Sequence, residues 1–273
     1  MEIKMKVCVS LFFILAGVIA FKVFTDRDLQ VPVDEQRVLV DSDNHGPVAV
    51  VVELFTSEGC SSCPPADDVL AKLDKTSIQG VEIIALGEHV DYWNRLGWVD
   101  QYSSEKFSQR QNDYSDAFNL DSVYTPQMIV DGRDEFNGGN MVRARAAITK
   151  AAQAPKGKVE LGLADGKLSV HVKNLPRLTA GDRAEVFLAI TENNLRTDVS
   201  RGENSGRFLN HSAVVRDLSV IGQLSPNETT FEATPNLKLA EIWRKENLRV
   251  AVFVQERGTR RILAAAILGV LSK

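Results

Sequence analysis

The chain has 273 residues, is 44% hydrophobic and 25% charged, and carries a formal net charge of −4. That balance excludes a disordered or collagen-like polymer, and the lack of a basic field or a Lys/Arg run argues against nucleic acid as a partner. The length leaves room for two modest domains.

Lys4 and Lys6 precede an uncharged apolar run over residues 7–21, the layout of an export signal. The run is shorter than the roughly 20 apolar residues a membrane span needs. Residues 1–21 are therefore expected to be a signal peptide, with an uncleaved membrane anchor as the alternative. The expected location is periplasmic or secreted, or at the inner membrane if the segment is retained. Residues 22–46 are charged, contain Pro32, Asp43 and Gly46, and read as a linker.

Residues 48–55 are β-branched and almost continuously apolar, as in a strand buried on both faces. Pro64 and Pro65 then open a helix with Val69, Leu70 and Leu73 on one side. Proline is tolerated in a first helical turn, which places Cys60 at or just before a helix N-terminus. Residues 81–86 make a second buried strand, completing a strand, helix, strand unit whose strands should run parallel. The polar and aromatic segment 87–122 includes a helix over about 103–118. Pro126 leads a strand into an Asp131-Gly132 turn, residues 135–137 return as a short strand, and 140–152 close as a helix. Beyond residue 157, short alternating runs at 158–163, 167–172, 185–191, 229–233, 248–255 and 262–268 predict an antiparallel sandwich.

Of the three cysteines, Cys8 lies in the export segment, which leaves Cys60 and Cys63 separated only by Ser61 and Ser62. So small a loop removes little entropy from an unfolded chain. Redox chemistry or metal binding explains the pair better than stapling does. A zinc site of the common kind needs a second cysteine pair, which is missing here. In a redox pair the attacking sulfur must be a thiolate, and a helix N-terminus favours that charge through its dipole and unpaired N–H groups. Cys60 is the expected nucleophile and Cys63 the resolving residue.

The order of a strand ending in Phe55, the run Gly59-Cys60-Ser61-Ser62-Cys63-Pro64, a helix, a strand, and Thr125-Pro126 before another strand resembles the thioredoxin superfamily. The resemblance implies a cis Pro126 packed beside the cysteines and a Thr125 that contacts the substrate backbone. More narrowly, residues 52–67, 89–93 and 202–207 resemble the bacterial family of unknown function DUF1223. That likeness spans most of the chain after residue 47 and implies a secreted, thioredoxin-like protein.

Glu53 interrupts the first apolar strand, where an ionised carboxylate costs several kcal/mol unless paired or protonated. By analogy with the buried acid of thioredoxins it would accept a proton from Cys63; a salt-bridged or outward-facing glutamate is the other reading. His89 lies at the C-terminal edge of the parallel strands, where α/β proteins place ligands. It would tune the thiolate or line the cleft, join Cys60 and Cys63 on a copper ion, or be merely structural. Tyr92, Trp93 and Trp98 are candidates for an apolar wall receiving a peptide, and equally for core packing. Asp91, Arg95 and Asp100 read as a solvated or salt-bridged rim. Residues 202–207, followed by Asn210 and His211, form a polar glycine-rich loop without a P-loop lysine. It either folds back to shape the cleft or is a plain connection between strands.

The expected fold class is an α/β thioredoxin-like domain over 47–154, enlarged at 87–122, followed by an all-β antiparallel sandwich over 157–271. The expected activity is thiol–disulfide exchange on a protein substrate outside the cytoplasm, without a bound cofactor and with a membrane redox partner to complete the cycle. The rivals are a copper-delivery module using Cys60, Cys63 and His89, and a non-catalytic envelope binding protein whose disulfide is structural.

Overall fold

The computed structural model describes residues 46–164 and 167–269. The expected export segment, the linker up to residue 45 and Cys8 lie outside the described residues. Strand β1 is Val48–Thr56. It forms because both faces are covered: Val50, Val52 and Leu54 enter one core, Val51 and Phe55 the cores on the other side. Burial of each such side chain stabilises the fold by roughly 1.5–3 kcal/mol.

Helix α1, Pro64–Leu73, packs Ala66, Val69, Leu70 and Leu73 onto that first face. Strand β2, Val81–His89, runs parallel to β1 in the expected crossover unit. Helix α2, Glu105–Phe118, begins at Ser104, whose side chain accepts the Lys106 N–H, and stops at Asn119 in the left-handed region. Its inward stripe is Phe107, Arg110, Gln111, Tyr114 and Ser115, a largely polar face. Strands β3, Gln127–Val130, and β4, Asp134–Asn137, form a hairpin, and helix α3, Met141–Ala151, returns to the α1 face.

The remaining strands are β5, Lys158–Ala164; β6, Lys167–Lys173; β7, Ala184–Glu192; β8, Leu195–Val199; β9, Arg207–His211; β10, Val214–Leu224; β11, Phe231–Ala233; β12, Leu248–Glu256; and β13, Ile262–Leu268. They do not build a separate sandwich. A single mixed sheet of eight strands runs in the order β13-β12-β7-β10-β2-β1-β3-β4 through both halves of the chain. The expectation of an α/β thioredoxin-like domain followed by an all-β sandwich is thereby overturned.

The physical reason lies at the free edge of β2. A buried strand edge must satisfy its N–H and C=O groups, and at the C-terminal end of β2 the start of β10 does so in parallel at one pair, with Val214 opposite Gly87 and the Gly87 N–H donating to the Ala213 carbonyl at 2.7 Å. Once β10 is docked there, β7, β12 and β13 extend the same sheet. Strands β5, β6 and β11 form a small second layer, sharing a core with β7, β12 and β13. Two further strands, β8 and β9, form a detached hairpin between β7 and β10. Among the described residues no helix is long and apolar enough to cross a membrane.

Candidate functional site around a buried disulfide

Chain leaving β1 turns back through Ser57, whose carbonyl accepts the Cys60 N–H at 3.2 Å, and the Cys60 carbonyl in turn accepts the Cys63 N–H at 3.2 Å. These turns bring the two Cα atoms to 5.4 Å, and the sulfurs are joined as a disulfide. Cys63 is the N-cap residue of α1, with Pro64 and Pro65 in the first turn. This corrects part of the expected electrostatics. Prolines carry no N–H, and the Ala66 N–H is already given to the Cys63 carbonyl at 2.8 Å. The helix end therefore offers its dipole to a thiolate, with fewer free donors than expected. A hydroxyl compensates: Ser62 Oγ lies 3.3 Å from Cys60 Sγ and is the donor while the sulfur is in the disulfide.

The Thr125-Pro126 bond is cis. It places the Thr125 carbonyl oxygen 3.9 Å from Cys60 Sγ. Thr125 Oγ1 accepts the Trp93 indole N–H at 2.8 Å, and Trp93 also backs Gly59, where an added Cβ would lie 3.2 Å from Trp93 Cβ. Thr125, Pro126 and Trp93 are thus gathered around Cys60. Tyr92 donates to Gln111 Oε1 at 3.1 Å and packs, like Trp93, against the Phe55, Val90, Tyr114 and Ile129 core.

Glu53 is not at the disulfide. Alternation along β1 sends Val52 and Leu54 toward α1 and the intervening Glu53 to the opposite face. There Arg110 Nε donates to Glu53 Oε1 at 2.6 Å and the Tyr114 hydroxyl donates to Glu53 Oε2. The proton acceptor expected for Cys63 is instead an ion-paired carboxylate of the core.

A different acid lies near the cysteines. Asp67 follows Cys63 by one helical turn, on the same side of α1, and its Oδ1 accepts the Thr56 hydroxyl at 2.7 Å. Removal from solvent pushes its pKa up to about 6, against the lowering influence of His211 and His89. His89 Nδ1 is 2.7 Å from Asp100 Oδ2, and both residues are buried. Burial acts to lower the His89 pKa, but the Asp100 carboxylate outweighs it, and the imidazole ends above its ordinary value. Asp100 shifts the other way: burial would raise its pKa, and His89 together with the Glu58 and Tyr102 N–H groups lowers it overall. Of the two readings given for Asp100, solvated or salt-bridged, the structure takes the second, with the residue buried against His89.

A second histidine completes the cluster. His211 Nε2 lies 3.0 Å from Glu58 Oε1, while Trp98 donates its indole N–H to Glu58 Oε2 at 2.8 Å. The His89 and His211 rings meet edge to face at 5.0 Å. No group of three or more His, Cys, Asp or Glu side chains among the described residues is arranged to hold a metal, so His89 does not join Cys60 and Cys63 in such a set.

The loop between β8 and β9 covers this site, taking the first of the two readings left open for it. Asn204, fully buried, donates from Nδ2 to the Glu58 and Cys60 carbonyls at 2.9 Å each. The exposed Glu203 accepts the Ser61 N–H at 2.9 Å. Cys60 is left 1% exposed and Cys63 0%. Beside the cover, a groove of about 510 Å³ runs between Pro64, Asp67 and Asp68 of α1 and residues 207–210 of β9. A hollow of about 660 Å³ between α2, β7 and β10 contains neither cysteine.

The family described as "Protein of unknown function (DUF1223)" matches residues 51–255. The chain belongs to the DUF1223 family. Its fold is similar to that of protein AGR_C_4864 from Agrobacterium tumefaciens, with 28% identity, a TM-score of 0.65, and coverage of 83% of this chain and 97% of that one. HBP35 of Porphyromonas gingivalis is similar in fold alone, at 16% identity and a TM-score of 0.61, covering 82% of this chain and 76% of that one. No curated protein gives a significant match. In this DUF1223 chain, Glu58 and Asp67 are the site residues that sequence reasoning missed, while the sequence marks Asp100 only as a rim residue and Asn204 and His211 only as part of a loop that could shape the cleft. The polar run at 202–207 and the Asn210-His211 pair were the available signals, but nothing in the spacing joined them to Cys60.

Proposed function

We propose that the protein is a thiol–disulfide oxidoreductase acting on polypeptides outside the cytoplasm. The observation that carries the reading is the Cys60–Cys63 disulfide, formed between a buried strand and a helix N-terminus, with the Thr125 carbonyl 3.9 Å from Cys60 Sγ. The extracytoplasmic location rests on the apolar run behind Lys4 and Lys6. A substrate thiolate attacks Cys60 Sγ, a mixed disulfide forms, and Cys63 leaves as a thiolate that then takes up a proton. The second substrate thiolate attacks the substrate sulfur of the mixed disulfide and releases Cys60. Two electrons pass from the substrate dithiol to the protein, and the reverse sequence reduces a substrate disulfide. Thr125 and Trp93 position the chain bearing the reacting sulfur, Asp67 exchanges the proton at the Cys63 side, and a membrane redox partner restores the starting state.

The test is trapping in the native compartment. Cys60→Ser is expected to abolish exchange, and Cys63→Ser to accumulate a mixed disulfide on Cys60 that identifies the substrate. A wild-type protein unable to oxidise or reduce any dithiol would refute the reading. A second reading, a binding protein whose disulfide is purely structural, is favoured by the burial of both cysteines. Its mark is a reduction potential below about −300 mV, beyond the reach of cellular thiols.

A further inference from the structure

Attack on a disulfide needs an approach to one sulfur, yet both cysteines are closed off. The cover is compact and weakly tied. Across residues 199–207 the Gly206 N–H donates to the Val199 carbonyl at 2.7 Å, the Ser205 N–H to the Gly202 carbonyl at 3.2 Å, and Arg207 Nη1 to Asn204 Oδ1 at 3.0 Å. The tip is thus held together as one piece. Gly202 has φ +78°, and an added Cβ would lie 3.1 Å from Trp98 Cβ, so the tip rests directly on Trp98. The base of the hairpin is anchored separately, by buried Val199 and Leu209 and by the His211–Glu58 contact. Three hydrogen bonds fasten the tip to the cysteine loop: the two from Asn204 Nδ2 and the one from the Ser61 N–H to Glu203.

We infer that residues 200–206 are a gate over the Cys60–Cys63 disulfide, latched by Asn204, which an incoming polypeptide displaces by taking over the latch's backbone partners. The inference rests on the exchange reading of the site. The groups the latch occupies are two backbone carbonyls and one backbone N–H, which the amides and carbonyls of an extended polypeptide can satisfy in its place. A small thiol has no such groups, so it must wait for the latch to open unaided. Asn204 touches no reacting atom; it is a positioning residue of the closed state.

The experiment measures the rate of disulfide reduction in the full chain by dithiothreitol, and in parallel the rate of reaction with reduced, unfolded ribonuclease A. Asn204→Ala is expected to react with dithiothreitol about tenfold faster than wild type, the effect of losing two ordinary hydrogen bonds. Glu203→Gln weakens one exposed bond and should give roughly a twofold gain; it also keeps the test readable if Asn204→Ala fails to fold. The gain with the polypeptide should be clearly smaller than with dithiothreitol. Equal dithiothreitol rates for wild type and both variants would overturn the gate, and an equal gain for both reagents would overturn displacement by polypeptide. Failure of the exchange reading looks different. Neither wild type nor variant would then oxidise the polypeptide, while the dithiothreitol comparison would still report on the gate.

Discussion

Two clusters of buried polar side chains flank β1, one on each face, and they are built to opposite ends. On the α2 face, Arg110 donates from Nε to Glu53 at 2.6 Å and from Nη2 to Gln255 at 3.0 Å, and Gln255 reaches the Tyr114 hydroxyl at 2.7 Å. The guanidinium is stacked near Phe187, Phe253 and Tyr114, its carbon 5.0 to 5.5 Å from their ring centroids. Burial pulls the Arg110 pKa down, Glu53 more than offsets it, and the group stays charged at any working pH. Burial lifts Tyr114 well above the phenol range, so it stays neutral. On the α1 face, by contrast, Asp67 changes charge near pH 6, and the Asp100 carboxylate lifts the His89 pKa above its ordinary value. One strand thus carries the Arg110–Glu53 ion pair behind it, and the acid that exchanges a proton beside the disulfide in front.

The sharpest way to break this comparison is Arg110→Met. It removes the cation that pairs with Glu53 at 2.6 Å and leaves that buried carboxylate without a counter-charge. Loss of about 3–5 kcal/mol in urea unfolding at pH 7 is expected. Reduction of the disulfide in the folded fraction should keep its wild-type rate. A stability loss below about 1 kcal/mol would mean that the α2-face cluster is not a structural ion pair.

Asp67→Asn sharpens the contrast from the other side. Its folded pKa, about 6, is raised from 3.8 by burial, so between those values the folded state holds a proton that the unfolded state has lost. Stability from this group is complete below pH 4 and falls as pH rises to 6. The variant removes that slope and gains up to about 3 kcal/mol at pH 7. The pH profile of thiol exchange should lose an inflection near pH 6 at the same time. An unaltered unfolding slope between pH 4 and 6 would show that Asp67 titrates as an exposed acid does.

Much of the first face was legible in the sequence because its signals are local. Continuous apolar residues at 48–55, two prolines after the cysteines, and a parallel second strand all lie within about forty residues. The cis Thr125-Pro126 bond followed from resemblance alone, since nothing in an X-Pro dipeptide fixes its isomer. The sheet topology was not legible, because it depends on which strand satisfies the edge of β2. β10 in particular was hidden by two bulges, at 215/217 and 220/222, which shift the side-chain alternation that marks a strand. Glu53 was misplaced for a related reason: composition says that a buried acid needs a partner, but only the strand's parity says on which side. The cover was half visible, as a polar loop with glycines. Its partners, Glu58, Cys60 and Ser61, lie more than 140 positions away in sequence, and no spacing rule connects them.

Glu88 supplies the finest distinction between the two faces. Both its carboxyl oxygens are buried without a hydrogen-bond partner, because Arg110 Nε gives its bond to Glu53 and lies 3.5 Å from Glu88. Burial, and next to it the charge of Glu53, lifts the Glu88 pKa well above the usual carboxylate range, with Arg110 opposing. The environment therefore favours the protonated acid, whose proton can bridge to Glu53. Glu88→Gln keeps the shape and the bridging donor and removes the titration. Below pH 4 wild type and variant should unfold alike; as pH rises above the ordinary carboxyl range, the unfolded wild type releases a proton that the folded protein keeps, stability falls in wild type alone, and the variant should be more stable by about 1 kcal/mol. If Glu88→Gln is less stable than wild type at pH 7, Glu88 is ionised in the folded protein. Arg110 would then serve two carboxylates at once, and the α2 face would hold a net negative charge, to be counted with the acids around the disulfide.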